Sequence, residues 1–261
     1  MSQWTDNWRD FVRETSYKRH LKDEALSNDQ FWRSFEVYDL VLQHSGYPGE
    51  ILQKISSFIP PGSTLLDIGA GTGAFAIPLS GKTKRTIAID PSHYHLEILS
   101  EKAAREGLTN MTLIEKEWSA VSPSEVSGVD YSLAAYSLFD EDIERFLQKM
   151  LDVSKKGIFI VFRAEDESAD TLSDFAYGKR TSTDYSCLCH ILKDMGHNFK
   201  VMLFKREYLL PLDLVYKQFR FCRREPKELA DYLQAAGRLQ EKGDKTWAKF
   251  SARDALLYMI R

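Results

Sequence analysis

The chain has 261 residues, of which 43% are hydrophobic and 12% aromatic, so it can bury a sizeable core and is not a disordered polypeptide. Its formal net charge of -3 provides no surplus of basic residues for a phosphate backbone, and we expect no nucleic-acid partner. Its three cysteines predict no disulfide framework and favour a cytoplasmic location. No apolar stretch approaches the length of a bilayer crossing, so we expect no membrane partner.

The first 59 residues predict a helical cap, and residues 60–261 predict an α/β domain. One predicted helix of the cap carries apolar side chains at helical spacing, at Phe31, Phe35, Tyr38 and Leu42. A second helix is predicted over residues 50–58, and the prolines at positions 60 and 61 end it. The first strand of the domain therefore begins shortly after residue 60.

The most informative segment is LLDIGAGTGAFAIPLS, at residues 65–80. Its apolar residues lead to Asp67, and glycines then follow at alternate positions, at Gly69, Gly71 and Gly73. This pattern predicts a buried parallel strand, a tight turn and the start of a helix. Side chains in such a turn would keep a ligand away from the bare backbone at the helix N-terminus. Asp67 would attract an amino group there and would repel a pyrophosphate.

A second strand is predicted to end at Asp90, and a helix is predicted to follow from Pro91 and Ser92 until Gly107. A carboxylate at the end of a second strand can accept hydrogen bonds from both hydroxyls of a ribose. The alternative is that Asp90 is only a negative charge favoured by the N-terminus of the helix. Ribose binding is the preferred interpretation, because Asp67 and Asp90 lie one βα unit apart.

These two segments resemble the first motifs of class I S-adenosylmethionine-dependent methyltransferases, in which an acidic residue is followed by GxGxG. Gly69, Gly71 and Ala74 also satisfy the dinucleotide fingerprint G-x-G-x-x-G/A, but Asp67 and Gly73 favour the methyltransferase. The resemblance implies S-adenosyl-L-methionine as the cofactor. The residues that it places around the methionine and ribose are Asp67, Gly69, Ala70, Gly71, Thr72, Gly73, Asp90, Pro91 and Ser92.

The same resemblance extends to the next two predicted strands, at residues 111–115 and 129–135. It implies that Glu117 faces the adenine amino group, while the Trp118 ring either covers the adenine or packs in the core. It also directs the methyl group toward Ala135 and Tyr136. Tyr136 or Phe139 could form a wall around the sulfonium, or both could be core aromatics. The absence of an N-P-P-Y motif argues against the exocyclic amines of nucleic-acid bases as acceptors.

For the N-terminal cap, the resemblance implies packing over the cofactor mouth, with Trp32 and Tyr38 as the candidate contacts. The alternative is that the aromatic stripe only holds the helix to the domain. We expect residues 1–42 to act as a lid that becomes ordered when the cofactor binds.

The rest of the chain predicts the other half of the fold. A helix is expected over residues 142–153, a fifth strand over 157–163, a loop or short helix over 170–179, a helix over 185–195 and a sixth strand over 199–206. A helical insertion at about 207–250 precedes the last strand, at 255–260, which family topology places antiparallel between the fifth and sixth strands. The expected fold class is α/β, with a doubly wound, seven-stranded, mostly parallel sheet of the Rossmann-like methyltransferase type.

Other residues with catalytic or ligand chemistry are weaker candidates. His93 and His95 point to different faces of one helix, and Cys187, Cys189 and His190 have no second ligand cluster, so no metal site is expected. His190 could be a general base, although a structural role is more common for such a histidine. We therefore expect an enzyme that methylates a small-molecule acceptor, with no catalytic residue or oligomeric state assigned. The alternatives are a cofactor-binding regulator or scaffold and an NAD(P)-dependent oxidoreductase.

Overall fold

The computed structural model describes residues 2–164, 171–178 and 183–261, and its centre is one twisted β-sheet. The strands are β1 (Thr64–Ile68), β2 (Arg85–Asp90), β3 (Met111–Glu115), β4 (Val129–Ala135), β5 (Ser154–Arg163), β6 (Lys200–Pro211), β7 (Leu239–Lys242) and β8 (Lys245–Ile260). The strand order is β3-β2-β1-β4-β5-β8-β6, and β7 pairs with β8. Strands β1 to β5 run parallel, whereas β8 is antiparallel to β5 and β6.

Helices cover both faces of this sheet. They are α1 (Gln3–Glu14), α2 (Ser16–Asp23), α3 (Asn28–Arg33), α4 (Tyr38–Ser45), α5 (Gly49–Phe58), α6 (Ala76–Ser80), α7 (His93–Arg105), α8 (Ile143–Val153), α9 (Leu172–Tyr177), α10 (Tyr185–Asp194), α11 (Leu212–Gln218) and α12 (Pro226–Ala235). A 3-10 turn spans Trp118–Ala120. Helices α1, α8 and α10 pack on one face, and α5, α6 and α7 pack on the other. The predicted α/β class with a doubly wound, mostly parallel sheet is confirmed.

Continuous apolar runs explain why the central strands are buried on both faces. In β5, every residue from Ile158 to Phe162 is at most 3% exposed, and Leu65 and Leu66 of β1 are fully buried although they point to opposite faces. This arrangement brings the carboxyl ends of β1, β2 and β4 to one edge of the sheet. Ligands bind at that edge in doubly wound folds.

The C-terminal part differs from its predicted bounds. Strand β6 continues to Pro211, and β8 begins at Lys245 rather than at Ala255, so both strands extend into the predicted insertion at 207–250. A short eighth strand, β7, forms a hairpin with β8, while α11 and α12 supply the helical part. The last strand lies antiparallel between the fifth and sixth, as predicted. In the segment predicted over residues 170–179, the structure has helix α9, whereas residues 170 and 179 lie outside the described residues.

The N-terminal cap differs from its predicted helices, and its first helix packs in the core. The single helix expected from Phe31 to Leu42 is two helices, because turns with Phe35 N–H bonded to Trp32 O and Tyr38 N–H bonded to Phe35 O interrupt it. Helix α1 packs in the core, which favours a permanent packing helix over a lid for this part of the cap. Its Trp8 is fully buried, lies 5.3 Å from the Phe162 ring and donates its indole N–H to Asp140 O at 3.1 Å.

Candidate functional site

The glycine turn after β1 is shaped by contacts that allow no side chain at its first position. A Cβ at Gly69 would lie 2.2 Å from the Cβ of Ser137, and the φ of +71° is left-handed as well. The Gly69 and Ala70 N–H groups both donate to Ile89 O, at 2.7 and 2.9 Å. At Gly71 the nearest side-chain atom to such a Cβ is 3.9 Å away, so this glycine leaves open space. The turn therefore leaves room beside its backbone at Gly71.

Asp90 connects this turn to the start of α7. Its carboxylate accepts the Gly71 N–H at 2.8 Å through Oδ2 and the Ser92 N–H at 2.9 Å through Oδ1. The residue is only 6% exposed. Each carboxylate oxygen can accept a further hydrogen bond. Asp90 thus holds the turn in shape and keeps acceptor capacity for a ligand hydroxyl.

Asp67 is a buried carboxylate at the same edge of the sheet. It is 2% exposed, and burial together with the neighbouring Asp90 raises the pKa of Asp67 to about 7, against the lowering effect of the Ala76 amide. Among the described residues no cation pairs with it. A ligand ammonium at this point would restore the ionised carboxylate.

His95 is a site residue that the sequence interpretation missed. It is 3% exposed and neither ring nitrogen has a hydrogen-bond partner among the described residues. Its Nδ1 lies 3.6 Å from Asp90 Oδ1, beyond hydrogen-bond range. The Trp32 and Tyr38 rings cover it, with centroids at 4.5 and 5.7 Å. Two unsatisfied polar atoms at such a position are typical of a site that a ligand completes.

Two carboxylates of the cap hold the Trp32 and Tyr38 helices beside the glycine turn and the start of α7, which together we call the cofactor edge. Asp29 of α3 accepts the Ser92 hydroxyl at 2.8 Å and the Tyr94 N–H at 3.0 Å. Asp39 of α4 accepts the Thr72 hydroxyl at 2.5 Å and pairs with Lys102 at 2.7 Å. The local sequence does not predict these contacts, because each joins two residues more than 30 positions apart. Helices α3 and α4 are therefore anchored beside the glycine turn.

Glu117 and Trp118 follow β3 at the same edge of the sheet, but their surroundings differ. Glu117 is exposed and lines the cavity. The Trp118 ring is 5% exposed and packs against Phe146, whose carbonyl accepts its indole N–H at 3.3 Å, while Lys149 Nζ lies 4.1 Å from the ring. The geometry therefore favours the core interpretation of the indole over adenine stacking.

Tyr136, after β4, is held by a buried ionic network. Its φ is +54°, and its hydroxyl donates to Asp254, which is 0% exposed. Arg206 binds the same carboxylate, Nε to Oδ2 at 2.8 Å and Nη2 to Oδ1 at 3.2 Å. The Arg206 guanidinium also lies 5.0 Å from the Tyr47 ring, whose buried hydroxyl has no partner among the described residues. Tyr136 is thus a fixed wall of the site.

These residues surround one cavity of about 1240 Å³. The predicted site residues that line it are Trp32, Tyr38, Asp67, Gly69, Ala70, Gly71, Thr72, Asp90, Pro91, Glu117, Trp118, Ala135 and Tyr136. Gly73 and Ser92 do not line this cavity, and their predicted cofactor contacts stay predictions. A Cβ at Gly73 would lie 2.7 Å from Ile77 Cγ1, so that glycine allows close helix packing, and Ser92 caps α7 through the His95 N–H.

Other candidates fall outside the cavity. His190 stacks on Trp4 with ring centroids 3.9 Å apart and does not line the cavity, so the structural interpretation is favoured. Within residues 2–164, 171–178 and 183–261, no three histidine, cysteine or acidic side chains are grouped to hold a metal ion. None of the helices in these ranges is both long enough and apolar enough to cross a bilayer.

Comparison with known proteins identifies the segment that holds the glycine turn of this cavity. Residues 65–157 match the family model described as a methyltransferase domain. Residues 65–157 therefore carry a methyltransferase domain on the parallel strands of the sheet. The structure of magnesium protoporphyrin IX methyltransferase from Synechocystis, solved with bound SAH, shares the methyltransferase fold with a TM-score of 0.51 at 12% identity. The likeness covers 98% of this chain and 99% of that one.

Two curated relatives match part of this chain. An uncharacterized protein from Haemophilus influenzae is 30% identical over 122 residues, covering 47% of this chain and 44% of that protein. A probable ribosomal RNA small subunit methyltransferase A from Methanosphaera stadtmanae is 26% identical over 140 residues, covering 46% and 52% respectively. The chain thus spans about half the length of the curated relatives that it matches.

S-adenosyl-L-methionine is the cofactor of this methyltransferase domain, and the residues present fit it. The cofactor brings an ammonium, a sulfonium and a ribose diol. The buried Asp67 lacks a cationic partner among the described residues, and Asp90 keeps free acceptor capacity. The open space at Gly71 admits a ligand against the backbone. Donor chemistry, charge and shape therefore agree with this cofactor.

Proposed function

We propose that the protein transfers the methyl group of S-adenosyl-L-methionine to a small-molecule acceptor bound in the same cavity. The observation that carries the proposal is the pair of buried carboxylates, Asp67 and Asp90, beside the open glycine turn. A pyrophosphate is disfavoured beside two such carboxylates, whereas an ammonium and a ribose are favoured. The same pair therefore argues against the NAD(P)-dependent alternative.

The chain's own residues would bind the cofactor in distinct ways. When bound, S-adenosyl-L-methionine supplies an electrophilic methyl group. Asp67 would neutralise the ammonium, and Asp90 would accept the ribose hydroxyls while it holds Gly71 in place. Glu117 would face the adenine amino group, and Trp32 and Tyr38 would cover the cofactor edge with His95.

The acceptor would lie in the remaining volume of the cavity. Pockets for single ligands usually measure about 300–1,000 Å³, so a cavity of about 1240 Å³ has room for a cofactor and a second molecule. Its aromatic lining favours an apolar body, and the net charge of -3 does not favour a polynucleotide. These features support a small molecule rather than RNA as acceptor.

Catalysis would come mainly from positioning. Tyr136 and Phe139 form a rigid wall next to the end of β4, because Asp254 fixes the Tyr136 hydroxyl and Tyr17 packs on the Phe139 ring at 5.1 Å. An in-line displacement is accelerated when the nucleophile and the methyl group are held collinear with water excluded. We assign no general base, because the engaged Tyr136 hydroxyl cannot serve as one while it donates to Asp254.

We also propose that residues 1–59 form the cap of the cavity and residues 60–261 the methyltransferase domain. The contacts of Asp29 and Asp39 with the cofactor edge support this division. For location we propose the cytoplasm, which the free cysteines Cys187, Cys189 and Cys222 support.

Calorimetric titration with S-adenosylhomocysteine and with NAD tests the cofactor. We expect the first to bind and the second not to bind, and the reverse would contradict the proposal. Radiolabelled S-adenosyl-L-methionine should then be offered with deproteinised cell extract and, in a separate reaction, with total RNA. Label in the small-molecule fraction supports the proposal, and label only in RNA contradicts it. Binding without any transfer would favour the regulator or scaffold.

A further inference from the structure

The cavity continues beyond the cofactor edge along a row of aromatic rings. His95 contacts the Trp32 ring at 4.5 Å, and Trp32 contacts the Phe31 ring at 5.0 Å. Phe31 in turn lies 5.0 Å from the guanidinium carbon of Arg220 and 5.8 Å from the Phe221 ring. All five of these residues line the cavity. This row of rings therefore runs from His95, beside the proposed ribose site, to the guanidinium of Arg220.

The Arg220 guanidinium is held rigidly but is not neutralised. It lies 4.6 Å from the Phe35 ring and 4.5 Å from the Phe221 ring. Its Nε donates to Ser34 Oγ at 2.9 Å, and its Nη2 donates to Phe31 O at 3.1 Å. Neither acceptor carries a charge, and among the described residues no carboxylate pairs with Arg220. The Nη1 group has no acceptor within the described parts of the chain.

Arg224, four positions later, is a useful comparison because its charge is paired within the chain. Arg224 also lies over an aromatic ring, 4.1 Å from Phe175, and donates to the Phe175 carbonyl at 2.7 Å. Unlike Arg220, it pairs with a carboxylate, Glu228, at 3.2 Å and does not line the cavity. Partial burial lowers the pKa of Arg220 to about 10, so it stays charged at neutral pH without a counter-ion.

Charge is divided unevenly along the cavity. The carboxylates of Asp67, Asp90 and Glu117 lie at the glycine turn and after β3. Of the two acidic residues near α1, Glu141 pairs with Arg13 at 2.8 Å, and Asp140 accepts the Asp142 N–H at 2.9 Å.

Helix α2, whose His20 ring lies 4.8 Å from Phe221, adds Lys18 and Lys22 to the lining, and neither lysine pairs with a carboxylate among the described residues. The part of the cavity around α2 and Arg220 is therefore cationic.

We propose that the methyl acceptor is an organic anion whose carboxylate or phosphate group binds Arg220 while its apolar body lies along Phe31 and Trp32. This inference rests on the proposed methyl transfer in the same cavity. A planar guanidinium with free donors matches the two oxygens of such a group, and the aromatic rings keep it preoriented. The anion also supplies the counter-ion that the chain does not provide.

The test is calorimetry on the full chain saturated with S-adenosylhomocysteine. The probes are 2-naphthoate, 2-naphthyl phosphate and the neutral 2-naphthamide, which share one aromatic body. We expect at least one anion to bind about tenfold or more tightly than the amide, as for a charge-assisted hydrogen bond. Which anion binds distinguishes a carboxylate site from a phosphate site. Arg220→Gln should abolish this preference, and the matched control Arg224→Gln should retain it.

A second variant guards against loss of the fold. Arg220→Met keeps an aliphatic stem on Phe31, Phe35 and Phe221 while it removes the charge, so it should also lose the preference. Equal binding of all three probes, no binding of either anion, or an unchanged preference in both Arg220 variants would overturn the inference. Failure of wild-type protein to bind S-adenosylhomocysteine would instead refute the proposed function, whereas normal binding with no anion preference would refute this inference alone.

Discussion

Replacement of Asp67 by Asn should make the ligand-free protein more stable at alkaline pH while it weakens cofactor binding. The pKa of Asp67 is raised from 3.8 to about 7 by burial and by the charge of Asp90. Between these two pH values the folded state keeps a proton that the unfolded chain releases. Stability therefore falls as pH rises through this window, and the full penalty is present above pH 7.

The magnitude follows from the same shift. A shift of about 3 pKa units corresponds to about 4 kcal/mol of unfolding free energy, at about 1.4 kcal/mol per unit. Asparagine removes this penalty and can still accept the Ala76 N–H, but its buried NH2 group costs about 1–3 kcal/mol if unpaired. We expect Asp67→Asn to gain about 1–3 kcal/mol over wild type at pH 8 and to lose that advantage near pH 4.

Urea unfolding of the ligand-free proteins between pH 4 and pH 8 measures this difference. Asp130→Asn is the control, because the Thr64 N–H and Lys156 lower the pKa of Asp130 below 3.8 although burial opposes them, so this carboxyl titrates below the measured range. The stability of Asp130→Asn relative to wild type should therefore stay nearly constant between pH 4 and pH 8. A difference between Asp67→Asn and wild type that does not change with pH would refute the buried-carboxylate reasoning.

Cofactor binding supplies the second measurement on the same variant. Because a ligand ammonium favours ionised Asp67, the affinity of wild-type protein for S-adenosylhomocysteine should rise from pH 5 to about pH 7 and then level off. The Asp67→Asn variant should bind more weakly and without this rise. Calorimetry at fixed ionic strength distinguishes the two curves, and a parallel rise in both would show that another group titrates.

Three further predictions concern other parts of the site. Asp90→Ala should weaken S-adenosylhomocysteine binding by about 1.5–3 kcal/mol in calorimetry, since it removes a charged acceptor that also holds Gly71; an unchanged affinity would exclude Asp90 from the site. Arg206→Met should lower the free energy of unfolding by about 3–5 kcal/mol, because it leaves buried Asp254 without its cation. The exposed neighbour Lys205→Met should have little effect, and equal effects of the two variants would contradict this account. In hydrogen exchange, α1 should be protected without ligand, whereas α3 and α4 should gain protection when S-adenosylhomocysteine is added; fast exchange of α1 in the free protein would restore the lid interpretation.

The central half of the fold could be predicted because its signals are local. The apolar runs that end at Asp67 and Asp90, and the glycines between them, each encode a strand, a turn and a helix start within a few residues. Such short-range patterns also predicted the cavity edge, since parallel strands end on one side of a sheet. A motif does not tell which of its residues line the cavity and which support the turn, as Gly73 and Ser92 show.

The N-terminal helices show the opposite case. Helical spacing from Phe31 to Leu42 predicted one helix, but the chain turns between α3 and α4 so that Asp29 and Asp39 can reach the cofactor edge. The amphipathic pattern of α1 likewise does not reveal whether its apolar face covers a ligand or the core. The burial of Trp8 against Phe162 favours the core, and the sequence could not show it because 154 positions separate the two rings.

By itself, the sequence determined the cofactor class, the two strands that end near Asp67 and Asp90, and the carboxylates around the glycine turn, because each depends on residues close together in the chain. Only the tertiary structure showed that His95 has two unsatisfied nitrogens and that Arg220 faces the same cavity without a counter-ion. The pairing of α3 with the turn after α11 brings Phe31 and Arg220 together across 189 positions. Contacts between residues so far apart in the sequence depend on how whole helices and strands pack, and the spacing of hydrophobic residues does not predict them.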